Sequence, residues 1–397
     1  MKRKNKEQRR ADGITDRGSD SLETMRPNKK QRLGGSSGSN EEREPSPYLV
    51  VGHGSVSPAF SVFKVEPYTD GGGGDTPVSI PRRLARLKCK HNMCFVPLTL
   101  KDRRWIVGVG GSSTKNYYGP GTIVFDTEKQ LVIRGPEPKS IKSLPILLPI
   151  YADGFACIDY SLSRSPSVKG PLDYLPWFEV LDLSQAQAVD GRLTNCKWRS
   201  LQRPPFFPWE LTPRQYCCPP RVAVESYVAV GSHILVSVTG RVGTYAFDTK
   251  GSKKWVTVDD QNDLPFSDGA IPHGRGLFLG LSSTTKAITG YKIIMGTSSL
   301  SVVEIPVVSD LEDEEPVARS HNFVSLGIDS GFCLVTCWSV DETPYPPHRR
   351  AHIRVRTYKT DDFVESEGKC LVVSKQWMQV YKICDLIRTL DEPSRYE

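Results

Sequence analysis

Ten cysteines and seven histidines are the side chains of this 397-residue chain most suited to metal or nucleophile chemistry. Cys89-Lys-His91-Asn-Met-Cys94 is the one cluster with metal-like residue types. Structural zinc takes four ligands, normally as two close pairs. Cys333 with Cys337, or Cys217 with Cys218, would have to supply the second pair, and neither spacing is the usual one. A gap of four in an alternating strand puts Cys333 and Cys337 on one face, where thiols pack as small apolar groups. Buried thiols are expected, and no metal or cofactor.

Catalysis has little support in the residue pattern. A serine nucleophile elbow reads Gly-x-Ser-x-Gly after a strand, and neither Gly52-His-Gly-Ser-Val56 nor Gly110-Gly-Ser-Ser-Thr114 fits it. Gly71-Gly-Gly-Gly74 lacks the Lys-Ser/Thr of a phosphate-binding loop and reads as a flexible hairpin tip. His273 and His348 lie among prolines and arginines and are expected in solvated loops. The acidic run Asp310–Glu315 reads as a solvated connection, with docking of a basic segment as its functional alternative.

Two features fit binding instead. Lys29-Lys30-Gln-Arg32 fits a short nuclear-import signal, with Lys2-Arg3-Lys4 and Arg9-Arg10 upstream, because an extended basic chain can thread the acidic pockets of an importin. The proline-rich stretches Pro204-Pro-Phe206-Phe207-Pro-Trp209 and Tyr345-Pro-Pro347 carry aromatics. Phe206, Phe207, Trp209 and Tyr345 are the expected partner-binding loop residues, since rigid aromatics on loops often anchor partners. Packing between structural units is their other reading.

These residues sit in two compositional regions. Residues 1–32 hold eleven Lys/Arg against five acids, which is most of the net +7, so the rest of the chain is nearly neutral. Nucleic-acid contact is therefore expected only through the tail. Residues 1–47 contain no aromatic residue and end in a Gly/Ser/Glu-rich stretch. Such a segment cannot bury enough apolar area to offset its ordering entropy, so a disordered basic tail is expected there. The start Met1-Lys-Arg-Lys4 has no apolar stretch behind it and does not read as a signal peptide. The longest apolar run, Leu144–Ile150, is too short to span a bilayer. Nucleus and/or cytoplasm, a reducing compartment with free thiols, is the expected location.

Residues 48–390 read as one all-β domain. Short runs rich in Val, Ile, Tyr, Phe and Trp are bounded by Gly, Pro, Asp or Ser, and 33 glycines with 30 prolines suit many turns. The best helical candidate, Met378–Leu390, fits a strand period as well. An inexact repeat organises the runs. Arg104–Gly111, then Gly121-Thr-Ile-Val-Phe-Asp-Thr127, then Gly135-Pro136 is one copy. Tyr227–Val238, then Gly243-Thr-Tyr-Ala-Phe-Asp-Thr249, then Trp255–Val258 and Leu264-Pro-Phe266 is another. A copy between them holds Trp177-Phe-Glu-Val-Leu-Asp-Leu183 and Trp198. Each has a tight apolar first strand, a second strand ending before Asp, and a third carrying Trp or an aliphatic. The Asp opens a turn by bonding its own backbone, and the Trp fills space between neighbouring units. Equivalent marks at Glu66, Asp126, Asp182, Asp248, Lys292 and Tyr358 recur every ~44–66 residues, near the Kelch period. Six blades are expected, with five to seven open. Val372–Ile383 or Tyr48–Val51 would close the ring.

The order Gly110-Gly111, Phe125-Asp126, Pro136 resembles the Kelch repeat. The span from about Tyr48 to Asp385 is similar to the plant, grass-expanded family known as domain of unknown function 1668, on Tyr48-Leu-Val-Val-Gly-His53, Gly121–Thr127, Gly243–Thr249 and Trp255. That resemblance implies a Kelch-like, F-box-associated-like β-propeller without established catalytic residues. No leucine-proline F-box pattern precedes Tyr48. The function expected is protein–protein interaction without catalysis, with unidentified protein partners. Substrate recognition for ubiquitin-dependent turnover is the alternative, and a propeller enzyme acting on sugars or lactones is a third class. The apolar, glycine-rich strands Val107–Gly111 and Ile234–Val238, read as innermost, argue against the enzyme.

Overall fold

The computed structural model describes residues 48–53, 59–65, 81–88, 93–100, 103–114, 117–142, 145–152, 156–164, 175–207, 212–218, 220–296, 299–309, 322–327, 331–339, 350–360 and 370–384. The chain divides at Arg43/Glu44, and every described strand lies in the second unit, 44–397.

The described strands form successive antiparallel meanders. The first is β1 (Tyr48–His53), β2 (Ala59–Lys64) and β3 (Arg82–Lys88). The second is β4 (Met93–Leu100), β5 (Arg103–Thr114), β6 (Tyr117–Asp126) and β7 (Leu131–Arg134). The third is β8 (Ile146–Ala152), β9 (Ala156–Leu162), β10 (Phe178–Asp182) and, after a hairpin of β11 (Gln187–Val189) and β12 (Arg192–Thr194), β13 (Trp198–Ser200). A short helix α1 (Pro213–Cys217) precedes the fourth: β14 (Val224–Val230), β15 (His233–Val238), β16 (Arg241–Asp248) and β17 (Trp255–Asp259). The fifth is β18 (Phe266–Gly274), β19 (Leu277–Ser282), β20 (Ile288–Met295) and β21 (Leu300–Ser309). The sixth is β22 (Asn322–Gly327), β23 (Gly331–Ser339), β24 (Arg350–Thr360) and β25 (Leu371–Cys384).

Local chemistry sets these elements. Asp190-Gly191 and Arg275-Gly276 both take positive φ at two successive residues, the twist-matched turn of a two-residue hairpin. Gly331 has φ +84°, and a Cβ there would lie 1.8 Å from the Tyr358 carbonyl oxygen, so only glycine lets β23 start against β24. The repeated aspartates open turns as expected: Asp126 accepts from the Glu128 and Lys129 amides, and Asp182 from that of Ser184. Asp248 accepts from the amides of Lys250, Gly251 and Ser252. Those bonds, the Gly251 one foremost, hold its carboxyl below the usual range.

The core is distributed between sheets. Val62, Leu87, Met93, Ile106 and Phe125 join the first sheet to the second. Leu98, Val107, Leu181 and Trp198 join the second to the third. Tyr160, Phe178, Ile234, Phe247 and Trp255 join the third to the fourth. Leu235, Ala246, Phe266 and Tyr291 join the fourth to the fifth. Leu279, Ile305, Phe332 and Leu371 join the fifth to the sixth. Phe63, Val65, Cys333, Ile353, Val355 and Tyr381 then join the sixth back to the first. Each sheet is thus buried on both faces by its two neighbours, a cyclic stacking. The tryptophans fall between sheets as expected: Trp198 Nε1 donates across to Thr122 Oγ1 at 3.0 Å.

Two expectations are corrected and one ambiguity is resolved. The strands read as innermost, Val107–Gly111 and Ile234–Val238, belong to β5 and β15, the second strands of their meanders. First strands adjoin along the series, β4 beside β8, β8 beside β14, β14 paired in parallel with β18, and β18 beside β22, and the fourth strands β21 and β25 also pair in parallel. Pro97 and Pro149 interrupt the apolar pattern of β4 and β8, which hid them. Closure uses no shared strand among the described residues: β25 pairs with β24, β1 with β2, and side chains join the two sheets. The ambiguous segment starting at Met378 is strand as far as Cys384, paired along β24.

Candidate functional site

Strands alternate in direction within each meander, and the first strands of the fourth and fifth sheets run parallel. The connections from second to third strand, and from fourth strand to the next sheet, therefore emerge at one end of the stack. Arg164 stands there, two residues after β9, and its backbone oxygen accepts from the Val224 amide at the start of β14.

Arg164 is the centre of a cross-sheet cluster. Its Nη1 donates to Asp268 Oδ1 at 2.6 Å, and its guanidinium carbon lies 5.8 Å from the Tyr227 ring centroid. Tyr227 comes from β14, Asp268 from β18, and Arg164 from the third sheet. The approach depends on a bulge. The β18–β19 register breaks between Ser267 and Ile271, and Asp268 takes φ +58°, a strained conformation that aims the carboxylate. Gly269 completes it, because a Cβ there would lie 2.7 Å from the Tyr227 ring. The ion pair remains solvated, with Arg164 36% and Asp268 65% exposed. A guanidinium has five donors, so the pair retains donors and a carboxylate oxygen for a partner's polar groups.

Cys94, near the start of β4, feels the Arg164 charge, yet burial pushes its thiol up to about 11. It is a thiol at neutral pH and not an activated nucleophile. A cleft of ≈ 420 Å³ on the third sheet is lined by Asp182, Ser184, Asn195, Cys196, Lys197 and Arg199, among others. Asp182 there is occupied by the Ser184 amide and hydroxyl. Burial, then Asp182, pushes Cys196 up to about 11.

The expected binding residues divide. Phe206 and Phe207 are corrected: they are 0% and 1% exposed, inside the core between the third and fourth sheets. Phe206 meets the Trp255 ring edge-on at 5.2 Å, and Phe207 meets Trp177 at 5.5 Å. A proline-rich crossover wedges between two sheets, so its aromatics are the nearest apolar groups available to fill the gap. Trp209, Tyr345, Lys29, Lys30 and Arg32 lie outside the described residues, as do Cys89, His91, His348, Gly71–Gly74 and Asp310–Glu315. His273 is not in a solvated loop. It is a strand residue, 1% exposed, with Nδ1 2.8 Å from Ser325 Oγ. Burial lowers its pKa. Cys333 is buried against Thr357 Oγ1, and Cys217 and Cys218 are exposed. No three His, Cys, Asp or Glu side chains group as metal ligands among the described residues. No described helix is long and apolar enough to cross a membrane. Sequence reasoning missed the Arg164–Tyr227–Asp268 cluster. The Ser267-Asp-Gly-Ala270 interruption before Ile271 was its one available signal.

Cyclically stacked antiparallel meanders with adjoining first strands define a β-propeller. Within that class, the chain belongs to the family described as a protein of unknown function, DUF1668, whose model matches residues 44–381. No curated protein matches. Among solved structures, the chain is similar to the WD40 domain of SCAP from fission yeast, at 12% identity and a TM-score of 0.33, over 84% of this chain and 74% of that one. The fold assignment rests on the strand pairing above and not on that likeness.

Proposed function

We propose that this chain is a non-catalytic protein-interaction propeller of six blades, Kelch-like in its repeat, that meets protein partners with the end carrying Arg164 and Asp268. The observation that carries the reading is the solvated ion pair held across three sheets by a bulge, a ring contact and an obligatory glycine. A pre-positioned charged group on a rigid frame lowers the ordering cost of association. The nearby Cys94 thiol is held protonated, which favours binding over nucleophilic chemistry. The basic segment Lys29-Lys30-Arg32 directs the chain to the nucleus through an importin.

The turns after third strands, such as Asp248–Lys253, lie at the opposite end, which supplies the control. Quantitative affinity capture with wild type, Arg164→Glu and Lys253→Glu tests the reading. Partners lost with Arg164→Glu and retained with Lys253→Glu are expected. Recovery unaffected by Arg164→Glu, or reduced equally by both, overturns it. Recovery of cullin-ligase subunits would move the role to ubiquitin-dependent turnover. Deleting residues 1–32 from a fluorescent fusion should abolish nuclear accumulation, and unchanged accumulation would refute the import assignment.

A further inference from the structure

Strand β9 and the residue that follows it carry an unusual stripe. Asp159, Ser161 and Ser163 are each 0% exposed. Neither Asp159 carboxyl oxygen nor either hydroxyl has a hydrogen-bond partner among the described residues. Alternation puts all three on one face of the strand. That face is turned to the second sheet, because Leu147 and Leu181, the cross-strand neighbours of Ser161 and Asp159, pack with Leu98 and Val107. Pro149 is the other neighbour of Asp159, and Glu179 that of Ser161. The ion pair of Glu179 with Lys142, also fully buried, and Ser140 continue the polar surface.

Four buried oxygens without partners within five consecutive residues are rare, because each unmet group forfeits a hydrogen bond it made to water when unfolded. Alternate residues of a strand stand roughly 6–7 Å apart, a gap that one or two waters fill at ordinary hydrogen-bond lengths. A buried water needs two to four polar partners, and this stripe with Glu179 offers that number.

We propose that Asp159, Ser161 and Ser163 form an internal hydration site, a file of ordered waters sealed between the second and third sheets. Burial pushes the Asp159 carboxyl up to about 8 from 3.8, so near neutral pH it donates one hydrogen bond and accepts others. Its apolar flanks, Pro149 and Leu181, offer neither. Among the described residues, the buried cation nearby, Lys142, is already matched by Glu179.

The test is the sign of small substitutions. If waters fill the site, Ser161→Ala and Ser163→Ala each strip a partner from a held water and lower the folded-to-unfolded ratio about fivefold. If the stripe is dry, the same changes remove an unmet group and raise that ratio, which overturns the proposal. Asp159→Asn separates water from a bound cation. A neutral amide should match wild-type stability near pH 4 and exceed it at higher pH, because the wild-type carboxyl ionises first in the unfolded chain. It should also flatten the stability lost as pH rises from about 4, where the unfolded carboxyl ionises, to about 8, where the folded one does. A destabilised Asp159→Asn protein, or wild-type stability that rises with added sodium or calcium ions, would replace the waters with a cation and overturn the assignment.

Discussion

The third sheet meets its neighbours through two chemically opposite faces, written on the same strands. On β9 and β10, Tyr160, Leu162, Phe178 and Val180 point to the fourth sheet. Asp159, Ser161, Ser163 and Glu179 occupy the positions between them. The first face is an aromatic cluster: Phe178 meets Phe247 edge-on at 4.9 Å, and Trp255 contacts both. The second mixes aliphatics with a buried ion pair and hydroxyls. Equal burial thus hides unequal energetics. The aromatic face is stabilised by area and ring geometry, which tolerate small adjustments. The polar face depends on every hydrogen bond being met, because an orphaned buried charge costs more than the pair contributes.

The largest expected loss lies on the aromatic face. Phe178→Ala removes a ring that contacts Tyr160, Phe247 and Trp255, and should cost about 4 kcal/mol in denaturant unfolding. A cost under about 1 kcal/mol would mean that this cluster is not a close-packed core. On the polar face, Lys142→Met alone should cost about 3 kcal/mol, because it strands the Glu179 carboxylate. Adding Glu179→Gln should recover most of that loss, since the amide oxygen still accepts from the Lys139 backbone N–H, now made at 2.8 Å to Glu179 Oε1. Additive losses in the double variant would contradict the idea that the stranded charge is what costs.

The sequence made the strand content legible, and with it the aspartate turns and the inter-sheet tryptophans, because each depends on local pattern or on one side chain's own backbone. Asp248 needs only the three residues after it to form its turn. Strand rank within a sheet was not legible. β5 and β15 are buried on both faces and so look like the middle of anything, while β4 and β14 lie beside neighbours that the sequence does not reveal. Phe206 and Phe207 show the same limit. A proline-rich aromatic stretch has one composition whether it crosses the surface or wedges between sheets, and only the distance between β13 and β14 decides. The Arg164 cluster joins residues 104 positions apart, a separation at which periodicity carries no information. The two chemical faces of β9 were present as strict alternation in Asp159-Tyr-Ser-Leu-Ser163, but which neighbour each face meets depends on the cyclic stacking.

Two tryptophans give the finest discrimination between the faces. Trp198 belongs to the polar side, and its Nε1–H is shared between Thr122 Oγ1 at 3.0 Å and the Pro136 carbonyl at 3.1 Å. Trp255 belongs to the aromatic side, and its Nε1–H reaches only the Gln202 carbonyl, at 3.4 Å. Trp→Phe removes the same donor and the same ring volume at both sites, so the difference isolates the hydrogen bond. Trp198→Phe should cost about 1 kcal/mol more than Trp255→Phe, because it leaves a buried hydroxyl and a carbonyl short of their donor. Equal losses, or a larger loss at Trp255, would show that packing governs both interfaces alike and that the polar face has no special dependence on its hydrogen bonds.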